Sequence, residues 1–187
     1  MKKVLFVLMM FFASFCWGQQ FDGVEIFGSL SSVISSFKSK GYVVKSYINS
    51  HDALLKGYFL GDYIEIYVFS TPKTKKVCKV SIFFPKEETW DALKGSFYKF
   101  NDILSSKYNE PDNKYEYFEK PYFDGDDYEL SAVVLGKSHF SCFWFNRNNV
   151  SIGLLVSKWK QIEIDYENDE MMKLNKAESD YIMKYSL

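Results

Sequence analysis

The chain has 187 residues with 23 basic and 24 acidic side chains, a near-neutral balance that argues against nucleic acid, whose binding needs a basic stripe to displace counterions. Arg147 is the one arginine, so bidentate clamps on phosphate or carboxylate are scarce. Phe, Tyr and Trp make up 19% of the residues, a composition that suits pleated strands with cross-strand aromatic packing.

Lys2 and Lys3 begin the chain, an apolar run follows over 4–15, and Cys16-Trp17-Gly18 ends it with small residues at the first and third positions. That layout predicts a secretory signal peptide over 1–18, cleaved before Gln19. The run is too short for a permanent span, which needs roughly 20 apolar residues. Bulky Phe15 before Cys16 speaks against a lipid anchor there. Taking 18 from 187 leaves a mature chain of 169 residues, with 21 basic against 24 acidic side chains once Lys2 and Lys3 are gone. The predicted location is the periplasm or the medium, with no transmembrane segment after cleavage. Residues 19–187 are expected to form one domain with a polar C-terminal tail.

Ser29 caps a predicted first helix with Leu30, Val33, Ile34 and Phe37 at helical spacing, and Gly41 supplies its left-handed exit. Strands are expected over 42–48, 53–59 and 63–69, the last two joined by a turn at Leu60-Gly61-Asp62. In 63–69, Ile64, Ile66 and Val68 alternate with Tyr63, Glu65, Tyr67 and Phe69, the pattern of a strand buried on one face. Residues 71–74 break it, and 76–84 resumes with Cys78, Val80, Ile82 and Phe84 assigned to one side.

Thr89 caps a second, strongly amphipathic helix with Trp90, Leu93, Phe97, Phe100 and Leu104 on one stripe; Asn109 and Pro111 end it. A strand over 115–119 follows, then an acidic turn at 124–127, where Asp126 and Glu129 are spaced as a capping box. Residues 130–136 suit a short helix or an extended segment. Strands are expected over 140–145, 150–156 and 161–166, and Asn175 with Glu178 could cap a terminal helix.

Helix-plus-four-strands occurs twice, over about 21–85 and 87–167, an internal pseudo-repeat of element order. Short turns make the strands antiparallel. The predicted class is α+β: an antiparallel sheet of about eight strands with the two amphipathic helices on one face and the other face open.

The helix ending Lys40-Gly41-Tyr42, Ser70-Thr71-Pro72, the run Lys107-Tyr108-Asn109-Glu110-Pro111 and residues 159–167 together resemble small uncharacterised exported proteins of Bacteroides-type bacteria. That resemblance implies export and single-domain shape, and no activity. At fold level the tandem helix-plus-sheet order is also similar to the β-lactamase-inhibitor-like proteins, which implies partner binding by one sheet face.

Chemistry is sparsely written. His51 and His139 have no second ligand at metal spacing, and no cofactor motif is present, so neither a metal nor a cofactor is expected. Cys142 with His139, three positions apart in a strand, would face opposite sides and so make no catalytic pair. Asp124, Asp126 and Asp127 lack the twelve-residue calcium pattern. Cys78 and Cys142 could form one disulfide or stay as two buried thiols.

The open face is expected to carry Tyr63, Glu65, Tyr67, Lys79, Ser81, Gln161 and Glu163. No catalytic residue is assigned. The leading expectation is a non-enzymatic binding module using Tyr63, Glu65, Tyr67, Lys79, Gln161 and Glu163 toward a protein or glycan of the envelope or beyond. The rivals are a glycan-directed hydrolase with two of the carboxylates Glu65, Glu163 and Asp165, and an envelope-assembly factor.

Overall fold

A computed structural model describes residues 19–185, so the expected signal peptide at 1–18 lies outside the described residues. A short hairpin, β1 (Gln20–Phe21) and β2 (Val24–Glu25), precedes α1 (Leu30–Ser39). Four strands follow: β3 (Val43–Asn49), β4 (Asp52–Phe59), β5 (Asp62–Ser70) and β6 (Val77–Phe83). Then come α2 (Trp90–Tyr108), β7 (Asn113–Phe118), α3 (Glu129–Val134), β8 (Ser138–Trp144), β9 (Val150–Ser157), β10 (Gln161–Asn168) and α4 (Asp169–Tyr185). The fold is α+β.

Apart from the β1–β2 hairpin, the strands form one antiparallel sheet in the order β3-β4-β5-β6-β10-β9-β8-β7. The order is a mirror about the β6–β10 seam. Ile66, Ile82 and Ile164 stand in one register row across β5, β6 and β10, and Val68, Val80 and Tyr166 in the next. All six are buried in the core. Burying each is worth about 1.5–3 kcal/mol relative to exposure, so these rows hold the seam shut.

Both expected helices cover this face. Ser29 Oγ accepts from Ser32 N at 3.2 Å to start α1, and Thr89 Oγ1 accepts from Ala92 N at 3.2 Å to start α2. Leu30, Val33, Ile34 and Phe37 of α1, and Trp90, Leu93, Phe97, Phe100 and Leu104 of α2, are buried in the core. Asn109 ends α2 at φ 67° and ψ −170°, outside the left-handed helical well and in a region that favours glycine. Its carbonyl accepts from the indole of fully buried Trp144 at 2.8 Å, which ties the helix end to β8. Residues 129–134 resolve as helix, with Val133 in the core.

Three local expectations are corrected. Cys78 does not share the core side with Val80, Ile82 and Phe84: the β5–β6 register passes from Phe69↔Lys79 to Ser70↔Val77, so Cys78 is the extra residue of a bulge and Val77 takes the core position. The capping box at α3 is not formed, because Asp126 accepts from Phe123 N and Tyr128 N while Glu129 reaches back to Gly125 N. The polar tail is not a tail. Asn168 Oδ1 accepts from Met171 N at 3.0 Å and starts α4 six residues before Asn175, the expected cap.

Cys78 and Cys142 are separate, buried thiols. They sit on β6 and β8, three strand spacings or about 14 Å apart, beyond the reach of a disulfide. Burial pushes both thiols up to about 11. No helix among the described residues is long and apolar enough to cross a membrane.

Candidate functional site

Strand alternation puts the partners of the core rows on the outer face. There β5, β6 and β10 present three parallel rows: Glu65, Phe83 and Glu163; Tyr67, Ser81 and Asp165; Phe69, Lys79 and Glu167. The α4 helix lies against β6 and β10 on this side and roofs one end of the rows with Met172 and Asn175. Between roof and sheet is a cleft of about 560 Å³, with Trp159 from the β9–β10 turn at its margin. Its size is that of a small-molecule site.

Of the six residues expected to bind, Glu65, Tyr67, Lys79, Gln161 and Glu163 line this cleft. Tyr63 lies outside its lining, at the exposed end of β5, packed against Tyr58 with ring centroids 5.0 Å apart. Ser81, also expected on this face, lines it as well. Phe69, Cys78, Phe83, Trp159, Met172 and Asn175 line it and were missed, Cys78 because the alternation of 76–84 assigns it to the core side. Phe69 and Phe83 follow from the same alternation as Tyr67. The α4 residues carry a faint signal, since Met171, Met172, Leu174, Asn175 and Glu178 repeat at helical spacing and are the less exposed side of the helix.

The floor is aromatic. Tyr67 meets Phe83 edge-on at 5.4 Å and stacks with Phe69 at 6.3 Å. The polar groups around it are mostly committed to one another. Lys56 donates to one Glu65 oxygen, and the Tyr67 hydroxyl donates to the other at 3.3 Å. The hydrogen bond to Glu65 raises the Lys56 pKa, and burial with the Glu65 charge raises that of Tyr67. Lys79 Nζ donates to Asp165 at 2.7 Å and to Glu167 at 2.9 Å, and Ser81 Oγ donates to Asp165 at 2.5 Å. Burial works against the Lys79 ammonium, but those two carboxylates outweigh it and raise its pKa. The Gln161 amide nitrogen donates to the Phe84 carbonyl at 2.7 Å.

Glu163 is the exception. Burial, and then the neighbouring Asp165 charge, push its carboxyl up to about 7, and Lys79 offsets this only in part. It stands across Phe83 from Glu65, two strand spacings or about 10 Å away along the sheet. A carboxyl near neutrality can act as a proton donor, as an acceptor, or as the counter-charge of a cation.

α4 is fastened at its far end by Glu178. That buried carboxylate accepts from Lys73 N at 2.6 Å, Thr74 N at 3.2 Å and Thr74 Oγ1 at 2.7 Å. Burial pushes its pKa up, yet these hydrogen bonds prevail and hold it below the usual range. Tyr181 adds its ring face to Lys73 Nζ at 3.1 Å.

Other expected chemistry is dispersed. His139 pairs with Glu119 at 2.8 Å and stacks on Tyr117, while Cys142 is buried on the core side beside Asn101. His51 lies 3.7 Å from Asp52. Asp124 accepts from the Trp90 indole at 3.0 Å and from Lys94 at 2.6 Å, so it closes a turn onto α2. Among the described residues, no three His, Cys, Asp or Glu side chains gather as a metal site. Compared with protein-family models, curated proteins and solved structures, the chain matches none of them.

Proposed function

We propose that the chain is an exported, non-enzymatic binding module that seats a ligand group in the cleft between α4 and the outer face of β5, β6 and β10. The observation that carries this is convergence. Side chains from three strands, a turn and a helix meet around one aromatic-floored space of about 560 Å³. A largely pre-formed concave site with a few placed polar groups is what small-ligand recognition uses. The internal pairing of Lys56, Glu65, Tyr67, Lys79 and Asp165 favours a rigid receptor, since those groups are held before any ligand arrives. Export is proposed on the pattern of 1–18.

A second reading, a glycan-directed hydrolase, is favoured by one observation: Glu163, held near neutrality, faces Glu65 across Phe83. An inverting pair needs one acid and one free base at roughly 6.5–9.5 Å. Glu65 suits the second role poorly, because both its oxygens are already engaged.

The test is retention from an envelope extract of the producing cells, read by mass spectrometry after gel filtration. The wild-type chain should retain a compound that a folded Tyr67→Ala variant loses. If both proteins retain the same set, the empty set included, the binding reading fails. If the wild type converts what it retains and Glu163→Gln does not, the hydrolase reading replaces it.

A further inference from the structure

We infer that the ligand group of this cleft is a protonated amine, carried either by a free polyamine or by a lysine side chain. The inference rests on the reading of the cleft as a binding site and assigns its chemical class.

The argument is a balance of hydrogen-bonding capacity. The ammonium of Lys79, the hydroxyls of Ser81 and Tyr67 and the amide nitrogen of Gln161 already donate within the protein. Glu163 borders the cleft with its carboxyl hydrogen-bonded only to the neighbouring Asp165 carboxyl and to no cation. Asn175 contributes an amide that can donate or accept, and Trp159 an aromatic ring. The cleft's lysines pair with Glu65, Asp165 and Glu167 and none with Glu163, so its unmet need is a cationic donor.

Charge points the same way. Lys56 is spent on Glu65, and Lys79 on Asp165 and Glu167, so neither offers its charge to an anion. The other wall, α4, brings uncharged Met172 and Asn175. Glu163 is left half-buried beside Asp165 without a cation of its own, and its ionisation is opposed for that reason. An ammonium beside it would supply the missing charge. The rings of Tyr67, Phe83 and Trp159 line the same space, and aromatic faces attract cations by about 0.5–2 kcal/mol where water is excluded. A sugar would use the aromatic floor too, and its hydroxyls can donate to the carboxyl, but it brings no charge to compensate it.

The experiment is calorimetric titration of the full mature chain with spermidine, with an acetylated Gly-Lys-Gly amide, with cellobiose and with inorganic phosphate, at about pH 8 and about pH 6. One amine probe should bind, and which one does identifies the source. Glu163→Gln should weaken it about tenfold or more, since a charge-assisted hydrogen bond is lost. Wild-type affinity should fall about tenfold from the higher to the lower pH, because protons then compete for Glu163. Binding of neither amine overturns the inference, as does equal binding by a folded Glu163→Gln variant. Cellobiose or phosphate captured in a Tyr67-dependent way also overturns it, yet leaves the cleft a binding site. Failure of every probe while the extract still yields a retained compound has the same meaning.

Discussion

Burial and the Asp165 charge both oppose a charged Glu163, so the folded chain holds that proton more tightly than the unfolded chain does. Between the unfolded value near 4.3 and the folded value of about 7, the folded state therefore carries the extra proton, and stability falls as pH rises through that window. Above it the full cost is present. Glu163→Gln keeps the shape and removes the charge. It should leave stability unchanged below about pH 4 and raise it by on the order of 1–2 kcal/mol above neutrality, discounted because the cleft admits water. Urea unfolding at both extremes measures this, and equal midpoint shifts at the two pH values would refute it. The sign explains why the position reads as functional: an uncompensated carboxyl at a cleft reduces stability in the empty protein. Sequence alternation placed Glu163 on the outer face, but could not show that Lys79, also there, is claimed by Asp165 and Glu167. Partner choice among neighbouring charges depends on register between strands some eighty residues apart.

At the scale of the element, α4 shows what local pattern leaves out. Its less exposed side mixes Met171, Met172 and Leu174 with polar Asn175 and Glu178, so it lacks the unbroken apolar stripe that announces α2. Its attachment depends on Glu178 meeting the 71–74 turn, a contact that no window of the sequence contains. Glu178→Ala removes three hydrogen bonds at once. Each is worth about 0.5–1.5 kcal/mol net, and the freed amides can reach water. We expect α4 to exchange its amide hydrogens faster while α2 keeps its protection, since the two helices lie on opposite faces. Acid should have the same local effect: the folded pKa of Glu178 is depressed, so its contribution is present above the unfolded value and is lost as pH falls through the folded one. Unchanged exchange in α4 of the Ala variant would mean that the helix is held by something else. The strands behaved differently. Ile64, Ile66 and Val68 declared their face by alternation alone, whereas the bulge at Cys78 was invisible because an inserted residue leaves composition intact.

Across the whole molecule, the number and direction of the sheet strands and the two covering helices were legible, because amphipathic stripes and short turns dictate them. Strand order was not. Pairing β6 with β10 joins the end of one half to the end of the other, through long-range contacts such as Ile82 with Ile164, Val80 with Tyr166 and Lys79 with Asp165. The cleft straddles that seam, so its existence was as unreadable as the order itself.

The central place of β10 has a consequence for how the chain comes into being. Synthesis proceeds from the amino terminus, so β3 to β6 are complete long before residues 161–168 exist. For that interval β6 is a bare edge, which is an invitation to pair with another chain. Lys79, at the middle of that edge, would then be an unpaired charge of the kind that discourages such pairing, and the arrival of Asp165 and Glu167 neutralises it. A chain stopped at Lys160 should therefore associate with itself, and Lys79→Val should make it aggregate faster, as light scattering would register. If the truncated chain stays dispersed with either residue at position 79, the last strand closes a sheet that needed no guard.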